Sequence, residues 1–186
     1  MTLDQYSLIV SIGVLAVGLA TVISLIGFLV MPKFRKHLAT HDYYVYIKVI
    51  GVLAVISTLG ALTYQFYYAT PVCELCWWQR IFMFPIDIIA LTAIAFREKA
   101  AHISIGILAA IGGLFAAYHY YYHFQIFVLD KTLSLPCDGY GTLPACTSSP
   151  IVVFEFITIP FMALVIFLAI VWLAVLAAYV QKEQEA

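Results

Sequence analysis

The chain has 186 residues, of which 65% are hydrophobic and only 10% charged, with nine Lys or Arg against ten Asp or Glu. A soluble domain averages about 45–50% apolar and about 25% charged residues, so a chain with a mean hydropathy of +1.02 cannot bury its apolar surface within itself. A net charge of −1 gives no basis for binding nucleic acid, and the composition reads as an integral membrane protein.

Five mostly apolar runs of roughly 20 residues or more follow one another, separated by short polar breaks. The first, residues 7–31, has only Asp4 before it and is followed by Pro32, Lys33, Arg35 and Lys36. A cleaved signal peptide carries its basic residues ahead of a shorter apolar stretch, so this run is expected to remain as a span. The second, residues 43–68, ends in Tyr64, Phe66, Tyr67 and Tyr68, side chains suited to the headgroup level. Thr70-Pro71 then breaks the helix.

The third run is expected to begin near Trp77 and end at Phe96, before the turn Arg97-Glu98-Lys99. The fourth covers residues 102–123, with Ala109, Gly113 and Ala117 spaced to let a neighbouring helix approach closely. A loop over residues 125–150 holds Asp130, Lys131, Cys137 and Cys146. The last run, residues 151–180, is long enough to tilt, and Pro160 supplies a reason for a kink.

Basic residues set the expected orientation, because Lys33, Arg35, Lys36, Lys48, Arg97, Lys99 and Lys182 all fall at ends that can share the cytoplasmic side. The N-terminus is then outside, the C-terminus inside, and all four cysteines face the non-cytoplasmic side, where disulfides persist. The expected fold class is an all-α membrane protein with lipid as its solvent.

The chemistry concentrates in Pro71-Val-Cys73-Glu-Leu-Cys76-Trp-Trp-Gln-Arg80. Cys-x-x-Cys spacing serves thioredoxin-like redox sites and half of many zinc sites alike. The second pair, Cys137 and Cys146, is eight residues apart and lacks the two-residue zinc knuckle, and no His lies in that loop. No metal is therefore expected; redox partners and plain structural disulfides remain as readings. Four cysteines allow three pairings, and spacing does not choose among them.

The redox reading accounts for more of the surroundings. Cys76 is placed at the start of the third span, where unpaired N–H groups and the helix dipole favour a thiolate. Arg80 follows four residues later, about 6 Å along the axis and on the same face. Asp87 lies near the middle of that span and is expected to be neutral or partnered, serving a proton path, pairing with the first helix or simply being a satisfied buried acid. His119 and His123 share one face near the outer end of the fourth span, where a titrating group suits proton-coupled chemistry.

The Pro-x-Cys-x-Leu-Cys-x-x-Gln-Arg string at a span entry, the second cysteine pair in an outer loop, and Phe156-Ile-Thr-Ile-Pro160-Phe together resemble the disulfide bond formation protein B family. The short Cys-x8-Cys loop and Tyr118-His119-Tyr120 are most similar to its shorter bacterial members of the BdbC type. The resemblance covers the last four spans. It implies an antiparallel four-helix transmembrane bundle over residues 43–186, with residues 1–42 as one extra N-terminal transmembrane helix and its cytoplasmic loop.

By the same resemblance, the protein is a bacterial cytoplasmic-membrane oxidoreductase that reoxidises a secreted thioredoxin-like dithiol oxidase and passes the electrons to ubiquinone or menaquinone. Cys73 and Cys76 are then the pair that reduces quinone, with Cys76 the thiolate facing the ring, and Arg80 and His119 the residues beside it. Cys137 is the sulfur attacked by the partner and Cys146 its resolving mate, and exchange between the pairs joins Cys73 to Cys146. His123 competes with His119 for its role. The extra first span, Asp87 in mid-membrane and Glu155 at the start of the last run depart from the family pattern. A vitamin K epoxide reductase-like enzyme is the nearest chemical alternative, but there the loop pair precedes the Cys-x-x-Cys, the reverse of the order here. A non-enzymatic membrane protein with structural disulfides is the alternative from another class.

Overall fold

A computed structural model describes residues 1–129 and 151–185. Six helices account for nearly all of it. Helix α1 (Leu3–Val30) opens with a capping box in which Gln5 N–H donates to Thr2 Oγ1 at 3.3 Å and Thr2 N–H donates to Gln5 Oε1 at 3.1 Å. Pro32 sits in the first turn of the short helix α2 (Pro32–Ala39), where its missing N–H costs no helical bond. Helix α3 (Tyr43–Leu62) runs on through one π turn, Thr63–Tyr67.

Helices α4 (Glu74–Phe96) and α5 (Ala101–His123) are joined by a tight connection in which Arg97 adopts a left-handed conformation, φ 59°, and stacks its guanidinium 4.9 Å from the Tyr44 ring centre. A second π turn, Phe124–Val128, extends α5. Helix α6 (Ile159–Glu185) closes a ring in which α3 meets α4 and α6, and α5 meets α4 and α6. Five of these helices are long and apolar enough to cross a membrane, in agreement with the expected all-α fold class of four bundled spans and one added helix.

The packing is that of a bundle in lipid. Leu29, Ile88 and Leu114 point outward and remain largely exposed, whereas the seams are built from Ala54, Ala90, Ala109 and Ala116, all fully buried. The close approach of α5 to α6 depends on Gly112, where an added Cβ would run into the Phe167 ring. The small-residue strip is therefore wider than the sequence pattern of Ala109, Gly113 and Ala117 indicates, since Gly112 and Ala116 take part and Ala117 is only half-buried.

The extra helix α1 lies mainly against α6. Trp172 Nε1 donates to Ser24 Oγ at 3.0 Å, and Phe28 meets the Trp172 and Tyr179 rings edge-on at 5.4 and 5.1 Å. Near its start, Tyr6 packs 4.9 Å from Tyr64 and 5.2 Å from Tyr68. Tyr64 is thus turned inward, while Phe66 and Tyr67 keep the exposed position expected of interfacial aromatics.

One element differs from expectation. The last apolar run is not a single helix from Ile151: Val152–Val153 (β1) pairs antiparallel with Ile157–Thr158 (β2), with Phe154 and Glu155 left-handed at φ 51° and 66° between them. Helix α6 begins only at Ile159, so Pro160 falls in its first turn and does not kink the middle of the span. Glu155 is exposed at the tip of this hairpin.

Candidate functional site

The start of α4 places the dithiol. Pro71 precedes the helix, and Cys73 is its N-cap, in extended conformation at φ −80° and ψ 172°. Its carbonyl accepts the first intrahelical bond from Trp77 N–H at 3.2 Å. The helix begins three residues earlier than the apolar pattern indicates, because Glu74-Leu75-Cys76 already form its first turn. That turn carries Cys76 around to face Cys73, and the two sulfurs stand 3.0 Å apart as unbonded thiols.

Cys73 is 5% exposed and belongs to a small apolar cluster with Leu75, backed by Phe115, Tyr122 and Ile126 of α5 and its extension. From α5, His119 brings Nε2 to 3.8 Å from the Cys73 sulfur. The other ring nitrogen, Nδ1, lies 3.0 Å from the Gln79 amide nitrogen on α4. His123 meets the His119 ring edge-on at 4.5 Å, and both imidazoles are 1% exposed. The thiol of Cys76 hydrogen-bonds to Cys73 and, with the interaction from His119, lowers the Cys73 pKa to about 4, against the opposing effect of burial.

Arg80 is 9% exposed, one turn beyond Cys76, and its charge interacts with both sulfurs. Its guanidinium is held by the end of α3: one nitrogen donates to Gln65 Oε1 in the π turn and another to the Ala61 carbonyl at 3.0 Å. The Trp77 ring covers it at 5.4 Å. The π turn has a local reason to exist here, since it swings Gln65 over the buried cation.

Three of the residues singled out from sequence, Cys73, Cys76 and His119, therefore meet at one point, with Arg80 on the α3 side. Their three donor atoms lie within 4.8 Å of one another, a soft set of the kind that binds zinc, though a closed structural zinc site takes four ligands. Cys137 and Cys146 lie outside the described residues. Asp87 stands apart from the dithiol, accepting from Thr58 Oγ1 at 2.7 Å across the α3–α4 seam, so the partner found for it among the described residues is on α3 and not on α1.

Sequence reasoning includes Gln79 only as a member of the motif, with no role of its own, and passes over Gln65 and Thr58. For Gln79 a signal exists: it is three residues from Cys76, so it shares that helix face, and a polar side chain there is 6% exposed. For Gln65 and Thr58 the only signal is the cost of burying Arg80 and Asp87 without partners.

A helical membrane bundle with a Cys-x-x-Cys at one helix entry, its first sulfur buried beside a histidine and its second half-buried with an arginine one turn on, has the make-up of a candidate thiol–disulfide centre. The chain belongs to the disulfide bond formation protein DsbB family, whose pattern matches residues 44–177. It is 36% identical over 118 residues to the probable disulfide formation protein C of Bacillus cereus, covering 62% of this chain and 78% of that protein. It is 33% identical to the SPbeta prophage-derived disulfide bond formation protein B of Bacillus subtilis, covering 62% and 73%. With the probable disulfide formation protein of Coxiella burnetii the identity is 32%, over 68% and 82% of the two chains. No solved structure matches the chain significantly. The protein is accordingly a membrane disulfide-forming oxidoreductase.

Proposed function

We propose that this protein reoxidises a secreted thioredoxin-like dithiol oxidase and delivers the electrons to a membrane quinone, with all four cysteines on the non-cytoplasmic side of the bacterial cytoplasmic membrane. The observation that carries this reading is the Cys73–Cys76 pair, Cys73 buried and Cys76 half-buried, 3.0 Å apart between His119 and Arg80, at the end of a membrane bundle. Residues 43–186 form the redox unit in this account, and residues 1–42 are an added helix with its loop.

Disulfide exchange supplies the first steps. A thiolate of the partner attacks Cys137 of a Cys137–Cys146 disulfide and releases Cys146 as a thiolate. Cys146 attacks Cys73 of the Cys73–Cys76 disulfide, forming a Cys73–Cys146 bond and releasing Cys76 as a thiolate. The second partner thiolate then attacks the partner–Cys137 bond, which leaves the partner oxidised. The Cys137 thiolate released attacks the Cys73–Cys146 bond, which restores the loop pair and frees Cys73. Two electrons now reside on Cys73 and Cys76.

The residues present suit a quinone. Its flat apolar ring calls for aromatic surroundings and its carbonyls for donors, and Arg80 is a buried cation beside the thiols under the Trp77 ring. When bound, the quinone accepts two electrons and two protons. The chain's part is to hold Cys76 toward the acceptor with Arg80 behind it. Cys73 stays a thiolate, 3.0 Å away and ready to close the disulfide. The two thiolate roles belong to different moments: Cys76 carries the charge while Cys73 is tied to Cys146, and Cys73 carries it once both are reduced.

Purified protein, a reduced thioredoxin-like dithiol oxidase and a soluble quinone test the reading. Quinone-dependent oxidation of the partner is expected, with loss of turnover in Cys76→Ser and in Cys137→Ser. Disulfides that remain intact in the presence of reduced partner, with no quinone consumed, contradict it.

A further inference from the structure

We propose that Gln79 is a positioning residue that fixes the proton of His119 on Nε2, so that the ring serves Cys73 as a hydrogen-bond donor and not as a base. The inference deepens the proposed reading of the same centre and rests on that reading for its purpose.

The geometry leaves few arrangements. Gln79 is 6% exposed, and its amide nitrogen lies 3.0 Å from His119 Nδ1. A carboxamide nitrogen only donates, so Nδ1 accepts. A neutral imidazole whose Nδ1 accepts carries its hydrogen on Nε2, the atom 3.8 Å from the Cys73 sulfur. Turning the amide over would present its oxygen to Nδ1, draw the proton there and leave a lone pair on Nε2, the arrangement of a general base. The orientation of one side-chain amide therefore separates two chemistries at Cys73.

A neutral amide also suits the donor role better than a carboxylate would. A carboxylate only accepts, so it would hold a proton on Nδ1 and leave Nε2 its own proton only while the ring is charged. With Gln79 the donor persists after the ring is neutral. The consequence for the centre is a Cys73 thiolate stabilised without a permanent imidazolium beside the acceptor. No bond is made or broken by Gln79 or His119 in this role; the proton on Nε2 stays on the ring. Among the described residues, the other titratable groups around Cys73 are Cys76 and Arg80 on α4 and His123 and Tyr122 on α5, and none of them is changed in the test.

The test uses the reduced full-length chain in detergent with Cys137 and Cys146 replaced by serine, and reads Cys73 alkylation by iodoacetamide against pH with the modified residue located by mass spectrometry. It needs neither quinone nor partner, so its outcome is separate from that of the proposed function. Gln79→Leu is expected to move the Cys73 midpoint to higher pH, with the low-pH alkylation rate falling about tenfold for every pH unit by which the midpoint rises. Gln79→Glu, close in shape and suited to the same packing, is expected to split the profile into two ionisations, the second being loss of the ring proton. His119→Phe is expected to match the Leu variant. Parent-like profiles in both Gln79→Leu and Gln79→Glu, with the His119→Phe midpoint raised, overturn the proposal, as does a single parent-like ionisation in Gln79→Glu should the Leu variant fail to fold.

Discussion

The sulfur of Cys73 stands 3.8 Å from Nε2 of His119, a contact that ties the start of α4 to the end of α5 across the bundle seam. Together with the thiol of Cys76, this contact holds Cys73 at a pKa of about 4. Stabilising the thiolate stabilises the reduced pair, which makes the Cys73–Cys76 couple a stronger oxidant. His119→Phe should make it more reducing, by about 30 mV for each tenfold loss of Cys73 acidity. Equilibration of Cys73–Cys76 with glutathione buffers measures this, and an unchanged potential would remove His119 from the account.

The same depressed pKa has a consequence for stability. The folded value of about 4 lies below the free thiol's ordinary value of about 8.5, so the contribution of Cys73 is fully present above the latter and fades as pH falls toward the former. The reduced protein should therefore melt at progressively higher temperature as pH rises from about 4 to about 8.5, whereas in the oxidised protein, which has no thiolate at Cys73, this component is missing. Thermal unfolding of both redox forms across that range, in detergent, provides the comparison.

Asp87 is joined to α3 by the hydrogen bond from Thr58 at 2.7 Å and lies away from the dithiol. Thr58→Val removes a donor from a carboxyl group inside the bundle and should destabilise the fold by about 1–3 kcal/mol. Asp87→Asn keeps an acceptor for Thr58 and should leave the proposed quinone reduction nearly intact. A large loss of turnover in well-folded Asp87→Asn would instead place the acid on a proton path.

Gly112 and Gly106 make a matched pair on α5. A Cβ at Gly112 would overlap the Phe167 ring, whereas one at Gly106 would reach ordinary contact, 3.5 Å from the Ala174 Cβ. Gly112→Ala should cost about 1–3 kcal/mol through overpacking. Gly106→Ala should be neutral or mildly stabilising, by up to about 1 kcal/mol, since it replaces a glycine in a helix interior. Unfolding temperatures of the two variants give the contrast directly.

Helix α1 is attached at two levels, through Tyr6 against Tyr64 and Tyr68 near the dithiol end and through Ser24 and Phe28 against α6 far from it. Trp172→Phe removes the hydrogen bond to Ser24 and should cost about 0.5–1.5 kcal/mol. Cys73 alkylation should be unaffected, because Trp172 is thirteen residues into α6 from Ile159, about 20 Å along its axis.

Much of this arrangement can be read from the chain, and the parts that cannot have physical reasons. Spans of apolar residues and the Cys-x-x-Cys at a helix entry are local features, and His119 and His123 share a face by spacing alone. The hairpin between Val152 and Thr158 is hidden because Ile151-Val-Val-Phe is as apolar as the helix that follows; two left-handed residues, Phe154 and Glu155, separate it, and hydropathy does not register backbone conformation. The roles of Gln79 and Gln65 escape notice because their partners, His119 and Arg80, sit on other helices, 40 and 15 residues away. Asp87 announces a need for a partner through its depth, but only packing identifies Thr58.

The central claim is that Cys73 and Cys76 together donate two electrons to a quinone. The most direct measurement is a single turnover: fully reduced protein, with Cys137 and Cys146 replaced by serine, is mixed with a soluble quinone, and thiols and quinone are counted. The account predicts one quinone reduced per chain, with both thiols lost and a Cys73–Cys76 disulfide recovered by mass spectrometry. Quinone left oxidised with both thiols still titratable, in protein that remains folded, would contradict it.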